Sequence, residues 1–479
     1  MNYNYNLHFI SETDHSESNI SNRTVNNIIS AWHESGNSIY EIRPDSPEKD
    51  KKNLIELISD CIKEEGGEIS SQKKVIHLAM IYINLPMLRK AKFLNILAQY
   101  FDVDINTIFE KVQNLRISDN EEQIIKSELE LRDALIPPRV KFLRKLINLP
   151  NGYIFLKDIR SDLLSLTDLS PRLIKLSDEI KTLLITYFDI NLLDLVEISW
   201  NSPAALLERL MEYEAVHKIG SWKGLKHRLL TDHRVFAFFH YKMPDEPLIF
   251  VEVALVVGMS DNIQKLIDVK EKSGDPKKAD TAIFYSISST QKGLEGISFG
   301  NFLIKRVVKK LSDEYKNLKC FATLSPIPKF MCWLTSFLQN NENNFLQPDE
   351  IIKICNISGI KDAGLGLLEI LNIKNWYKSN DISDVIKKPL MRLCAHYLLN
   401  IKHKSSFKAY DPVANFHLSN GAKIEHINWL ADTSTKGIKV SAGIMVNYHY
   451  RLDKITINHE NYMNNGIVHA SSDTKKWIG

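Results

Sequence analysis

Residues Thr290–Leu311 read TQKGLEGISFGNFLIKRVVKKL, three glycines within eight residues followed by an abrupt change to helical spacing. Phe302, Leu303, Ile304, Val307, Val308 and Leu311 fall on one stripe, while Lys305, Arg306, Lys309 and Lys310 fall off it. Just upstream, TAIFYSIS (Thr281–Ser288) is aromatic and β-branched, the composition of a strand. A strand that passes through glycines into a helix leaves unpaired N–H groups at the positive end of the helix dipole, which suits a phosphate or pyrophosphate. The stretch matches neither G-x-x-x-x-G-K-[ST] nor G-x-G-x-x-G, which argues against a nucleoside-triphosphate or dinucleotide fold. The plain alternative is a glycine-containing βα turn ahead of a solvated basic face. The residues alone leave both readings open.

Working outward, the chain has two unlike halves. After Trp200 the strand-like runs RVFAFFHY (Arg234–Tyr241), LIFVEVALVV (Leu248–Val257) and CFATL (Cys320–Leu324) join TAIFYSIS, with MPDEP as a tight connection. VANFHL and KIEHINWL flank Ser419-Asn420-Gly421, which predicts a hairpin, and helical spacing over 347–402 predicts an insertion before it. Before Trp200, NLIELISDCI and FLNILAQYFDVDINTIFEKVQNL repeat apolar residues every three or four positions. Ser118 and Glu121 fit a capping box, and Pro137-Pro138 break the helix that follows. The expected organisation is a polar, partly disordered lead-in (1–45), an all-α bundle serving oligomerisation (46–187), an α+β domain with a mixed sheet and helical insertion (188–470), and a tail (471–479).

Composition narrows the function. The 479 residues carry a net charge of +3 with 44% hydrophobic and 25% charged residues, which predicts a globular protein of more than one core and gives no case for nucleic acid. No apolar run approaches the roughly 20 residues of a membrane span. Five scattered cysteines suit reduced thiols and a cytoplasmic protein. Cys394 and His396 lack a second ligand pair, so no metal site is expected. His217, His227, His233 and His240 show no metal pattern either. Lys218, Lys223, Lys226, His227 and Arg228 suit either a phosphate contact or a solvated basic face.

The ordered segments GLEGISFGNFLIKRVV, ATLSPIPKFMCWL, DPVANFHLSNGAKIEHINWLADTS and GIMVNYHY, with EPLIFVEVAL and ADTAIFYSISSTQKGL upstream, resemble malonyl-CoA decarboxylases from about Glu214 to Tyr450. The resemblance implies a GNAT-type acyl-CoA-binding domain beside a helical domain, in a homo-oligomer such as a tetramer or dimer of dimers. It implies decarboxylation of malonyl-CoA to acetyl-CoA and carbon dioxide through a thioester enolate protonated at C2. No cofactor is required, coenzyme A being part of the substrate. By the same resemblance Ser325 and His417 are the catalytic pair, Ser325 relaying the proton and His417 supplying it. Tyr450 contacts substrate, and Glu295, Gly296, Ile297, Ser298, Phe299, Gly300 and Asn301 hold the coenzyme A pyrophosphate. Where Ser298 stands, animal enzymes carry Glu, whose charge and basicity a hydroxyl lacks. On the residues alone Ser325 also reads as a turn residue, and His417 and Tyr450 as core. A GNAT-type acyltransferase and a non-catalytic acyl-CoA sensor are the rival functions.

Overall fold

The computed structural model describes residues 47–63, 67–241, 243–270, 273–297, 299–340, 345–404 and 406–478. The lead-in expected over 1–45 lies outside the described residues. The chain forms two compact units, one running to Asp189 and including Gln291–Ile297, the other comprising Ile190–Thr290 and Ser298–Gly479.

The first unit is helical: α1 (Pro47–Ile62), α2 (Gly67–Ile83), α3 (Met87–Tyr100), α4 (Ile105–Arg116), α5 (Glu121–Ala134), α6 (Pro138–Ile147), α7 (Gly152–Leu164) and α8 (Pro171–Tyr187). Its core is the apolar stripe of α3 and α6–α8, with Phe93, Leu97, Phe142, Phe155, Leu156, Leu176 and Ile180 all buried. Arg139 is fully buried there and is satisfied by Glu179 at 2.6 and 2.8 Å, Asp102 at 3.1 Å and the Ala98 carbonyl at 3.0 Å. A buried guanidinium persists only with such complete pairing. Pro138 is the first residue of α6, where its missing N–H costs nothing. The expected capping box is displaced: Asn120 caps α5 by accepting from Gln123 N at 2.9 Å, whereas the Ser118 hydroxyl donates back to Asn114 O.

Part of the glycine-rich turn belongs to this helical unit. A Cβ at Gly293 would lie 2.0 Å from the Lys157 carbonyl oxygen, so the turn approaches the α7 backbone closer than any side chain permits. Arg160 donates to Gly293 O at 2.7 Å, and Lys157 donates to Gln291 Oε1 at 2.8 Å.

The second unit holds one mixed sheet of eight strands in the order β1-β2-β3-β4-β5-β8-β6, with β7 beside β8. The strands are β1 (Leu193–Ile198), β2 (His233–His240), β3 (Met243–Val256), β4 (Thr281–Ser289), β5 (Cys320–Thr323), β6 (Ser325–Pro326), β7 (Lys423–Asn428) and β8 (Met445–His449). Among the described strands β4 and β5 pair in parallel and the other strand pairs are antiparallel. MPDEP is therefore the start of β3 and not a connection. On one face Leu207, Leu210, Leu225, Ile263 and Leu266, from α9 (Ala204–Tyr213), α10 (Trp222–Arg228) and α11 (Ile263–Ile267), pack against β2–β5. The other face carries α12 (Gly300–Glu314), whose predicted stripe Leu303, Ile304, Val307, Val308 and Leu311 is buried, while Phe302 stays exposed.

The four basic residues of α12 are all exposed, as a solvated basic face requires, but they do not all point the same way. They divide into two pairs four residues apart, and such pairs share a helix side. Arg306 and Lys310 lie over the rings of Phe238 and Phe236 on β2. Lys305 and Lys309 line a cavity. In α10, His227 and Arg228 are buried, and Arg228 pairs with the buried Glu252 at 2.5 Å. Those two members of the basic cluster are therefore not part of a solvated face.

The insertion predicted over 347–402 forms α14 (Pro348–Ser358), α15 (Ala363–Asn372) and α16 (Asn380–Asn400), preceded by α13 (Phe330–Gln339). VANFHL is not a strand. It lies in α17 (Pro412–Ser419), so Asn420-Gly421 turns a helix into β7 instead of closing a hairpin. Apolar alternation over six residues does not separate the two, and the deciding signal is the Asp411-Pro412 helix start just before it.

Candidate active site

β4 and β5 pair in register from Thr281–Cys320 to Phe284–Thr323, and Leu324 N still donates to Phe284 O at 3.1 Å. There they part. Ser325 instead pairs with Val446 of β8, so it stands where the carboxyl ends of two parallel strands diverge, the usual position for a ligand crevice in such sheets. Ser325 is buried, and its hydroxyl donates to Thr323 Oγ1 at 2.8 Å. Thr323 is itself fixed, since its Oγ1 accepts from Tyr448 N at 3.1 Å and its carbonyl from Asn447 Nδ2 at 2.8 Å.

His417 comes from the last turn of α17. Its Nε2 lies 3.1 Å from Ser325 Oγ, and its Nδ1 lies 2.7 Å from the Tyr450 hydroxyl. The ring is stacked on Tyr448, with centroids 4.6 Å apart at 24°. Ser325, His417 and Tyr450, singled out from sequence, thus meet in one hydrogen-bonded line. With Ser325 donating to Thr323, the consistent arrangement has Nε2–H donating to Ser325 and Nδ1 accepting from Tyr450. Burial of the imidazole lowers its pKa to about 3, so it stays neutral in ordinary buffers. Burial also pushes the Tyr450 phenol well above its usual range.

One residue ties the two halves of the pair together. Asp411 is buried and caps α17 by accepting from Val413 N at 2.9 Å and Ala414 N at 3.0 Å. Its second oxygen accepts from Lys329 N at 3.2 Å, at the end of the turn that leaves Ser325. The helix bearing His417 is thereby anchored to the Ser325-Pro-Ile-Pro turn. Gly300 opens α12 beside the same helix, because a Cβ there would meet the Phe416 ring at 2.6 Å.

A cavity of about 310 Å³ is walled by Tyr450, Asn420 and the α12 residues Ile304, Lys305, Val308 and Lys309. Tyr450 connects it to the Ser325–His417 pair, and its two lysines outnumber the one lining carboxylate, Asp313. Of the seven residues expected to hold pyrophosphate, Glu295, Gly296 and Ile297 belong to the helical unit, and Ser298 lies outside the described residues. Phe299, Gly300 and Asn301 form the start of α12, where Phe299 offers no side-chain cap. Thr323, Asp411, Tyr448, Lys305 and Lys309 were not singled out as site residues. The Asp-Pro cap and the i, i+4 lysines were visible signals, whereas the partners of Ser325 and His417 depend on strand register. Cys394 is buried in α16, and among the described residues no group of three His, Cys, Asp or Glu side chains is placed to hold a metal ion.

Two domain families match: the malonyl-CoA decarboxylase C-terminal domain over residues 191–479 and the N-terminal domain over 101–188. The chain is 36% identical over 400 residues to malonyl-CoA decarboxylase, mitochondrial, of Rattus norvegicus, and 37% identical over 400 residues to that of Mus musculus; each match covers 80% of both proteins. Crystal structures of malonyl-CoA decarboxylases from Rhodopseudomonas palustris and Agrobacterium vitis superpose with TM-scores of 0.79 and 0.78 at 35% and 33% identity, covering 89% of this chain and 99% and 100% of theirs. With both domain families matched in order and the Ser325–His417–Tyr450 line assembled at the strand fork, the chain belongs to the malonyl-CoA decarboxylase family of carboxy-lyases.

Proposed function

We propose that this protein converts malonyl-CoA to acetyl-CoA and carbon dioxide, with Ser325, His417 and Tyr450 as a proton relay. The observation that carries the reading is the continuous line Ser325–His417–Tyr450 ending on a lysine-lined cavity. Breaking the C–C bond leaves an electron pair that the thioester carbonyl accepts as an enolate, so the substrate supplies its own electron sink and no added metal or cofactor is needed. The enolate then takes one proton at C2. Ser325 Oγ–H delivers it, Nε2–H refills Oγ, and the Tyr450 hydroxyl refills Nδ1. A neutral imidazole serves this task because it gives a proton at one nitrogen while taking one at the other. The same neutrality weighs against an acyltransferase, whose base must hold a proton near the working pH. Lys305 and Lys309, with the uncapped start of α12 at Phe299–Asn301, suit the phosphates of coenzyme A. Ser325→Ala and His417→Asn test the reading. Each lowers turnover by roughly a hundredfold or more while coenzyme A binding persists, and full activity in both variants sinks it.

Homo-oligomerisation is part of the reading. Helices α4 and α5 contain no buried residue, yet Phe109 and Ile117 are 64% and 71% exposed, beside the exposed Ile105, Ile125 and Leu129. Such a helical pair suits a second copy of this chain. A monomeric mass by light scattering refutes this. No described helix is long and apolar enough to cross a membrane. The five free cysteines support a reducing, cytoplasmic setting, which cell fractionation checks.

A further inference from the structure

A second constellation of titratable side chains lies on the opposite face of the sheet from Ser325. Along β5, Cys320, Ala322 and Leu324 face the α11 side, whereas Thr323, which holds Ser325, points to the other side. Cys320 Sγ is 3.6 Å from Nε2 of His449, the last residue of β8. His449 Nδ1 is 3.0 Å from Glu425 Oε2 on β7, and Lys423 Nζ binds that same oxygen at 2.7 Å. Three strands thus line up a thiol, an imidazole and a carboxylate. The proton relay uses none of them.

This order matches an activated nucleophile: the imidazole lies within reach of the thiol, and a third group fixes the imidazole. The hydrogen bond to Cys320 and the Glu425 carboxylate raise the His449 pKa to about 9, so below that pH the ring is an imidazolium whose Nε2 lies 3.6 Å from the thiol sulfur, a cation that favours the thiolate. The other charged neighbours are Asp280 and Lys319 beside Cys320, and Asp473 and His426 beyond Glu425. Cys320 is half-buried, whereas Cys61 and Cys394 are sealed in cores with thiols pushed upward by burial.

We infer that Cys320, His449 and Glu425 form a reactive-thiol site that takes up a low-molecular-weight disulfide as a mixed disulfide. Cys320 releases its proton to solvent, the His449 imidazolium holds the thiolate, and the thiolate attacks one sulfur of R–S–S–R. The R–S–S–R bond breaks, Cys320 becomes Cys–S–S–R, and the departing RS⁻ takes up a proton from solvent as RSH. The protein thiol is oxidised and half of the small disulfide is reduced, so no other reactant enters.

The test incubates the full-length protein with oxidised glutathione at pH 6 and follows each cysteine by peptide mass spectrometry. An ordinary thiol is only about 0.3% thiolate at that pH. Cys320 is expected to react at least about tenfold faster than exposed Cys332, allowing for the weaker nucleophilicity of a stabilised thiolate. His449→Gln removes this advantage. Equal or slower labelling of Cys320, or an advantage that survives in folded His449→Gln, overturns the assignment. If that variant does not fold, the native protein decides through alkylation rates from pH 5 to 8. The Cys332 rate rises about tenfold per pH unit, the Cys320 rate rises far less, and parallel slopes overturn the assignment.

Discussion

Tyr450→Phe separates the proton relay from its scaffold, since it deletes one oxygen and keeps the ring that walls the cavity. In the native protein that hydroxyl meets His417 Nδ1 at 2.7 Å, with both residues buried. Removing it leaves a buried ring nitrogen without a partner, a loss of about 1–3 kcal/mol. The loss bears on the tautomer that donates from Nε2 to Ser325, because only that tautomer needs Nδ1 as an acceptor. At about 1.4 kcal/mol per factor of ten, kcat should fall roughly 5- to 150-fold. KM should change much less, since the phenyl ring still lines the cavity. The assay is steady-state release of acetyl-CoA over a range of malonyl-CoA concentrations, with circular dichroism confirming the fold. A kcat within twofold of the native value refutes the relay through Nδ1.

Other predictions rest on different parts of the structure. Because His417 titrates near 3, kcat should show no acid limb from this residue between pH 5 and 8; a limb near 6.5 that Tyr450→Phe or Ser325→Ala moves argues against the buried neutral ring. Its folded pKa lies below the unfolded value of about 6.5, so its stability contribution is complete above that pH and is lost toward pH 3, at up to about 1.4 kcal/mol per pH unit; urea midpoints across this window measure it. Asp411→Ala uncaps α17 and frees Lys329 N, which should cost about 1–2 kcal/mol and several degrees of Tm, with a fall in kcat that Asp411→Asn partly restores. Gly293→Ala drives a Cβ to 2.0 Å from a backbone oxygen and should destabilise by at least about 1–3 kcal/mol, whereas Gly220→Ala, with nothing within 4 Å, should be near neutral; equal melting temperatures would contradict the packing argument.

Legibility from sequence followed the length scale of each feature. The helical half and the strands of β2–β4 carry their period over many residues, and both halves fold in the predicted class. VANFHL is short, and its apolar pattern fits a strand as well as a helix; the Asp411-Pro412 start outweighs it. The three glycines share a sequence motif but not a role. Gly293 makes room for the α7 backbone, Gly296 takes a positive φ of 77°, and Gly300 admits Phe416. The neighbours of each glycine are set by distant segments, so composition alone reads all three as a turn. The Ser325–His417 meeting spans 92 residues, and its Thr323 and Tyr448 supports exist only once β5, β6 and β8 are in register. No local spacing encodes that. The basic stripe of α12 needed the sheet beneath it before it divided into a pair over Phe236 and Phe238 and a pair at the cavity.

The most direct test of the central claim is incubation of the purified protein with malonyl-CoA, with no metal or cofactor added, following acetyl-CoA and carbon dioxide together by mass spectrometry. The proton relay predicts stoichiometric formation of both by the native protein and near-complete loss in folded Ser325→Ala. Unchanged malonyl-CoA with the native protein, or undiminished turnover in Ser325→Ala, contradicts it.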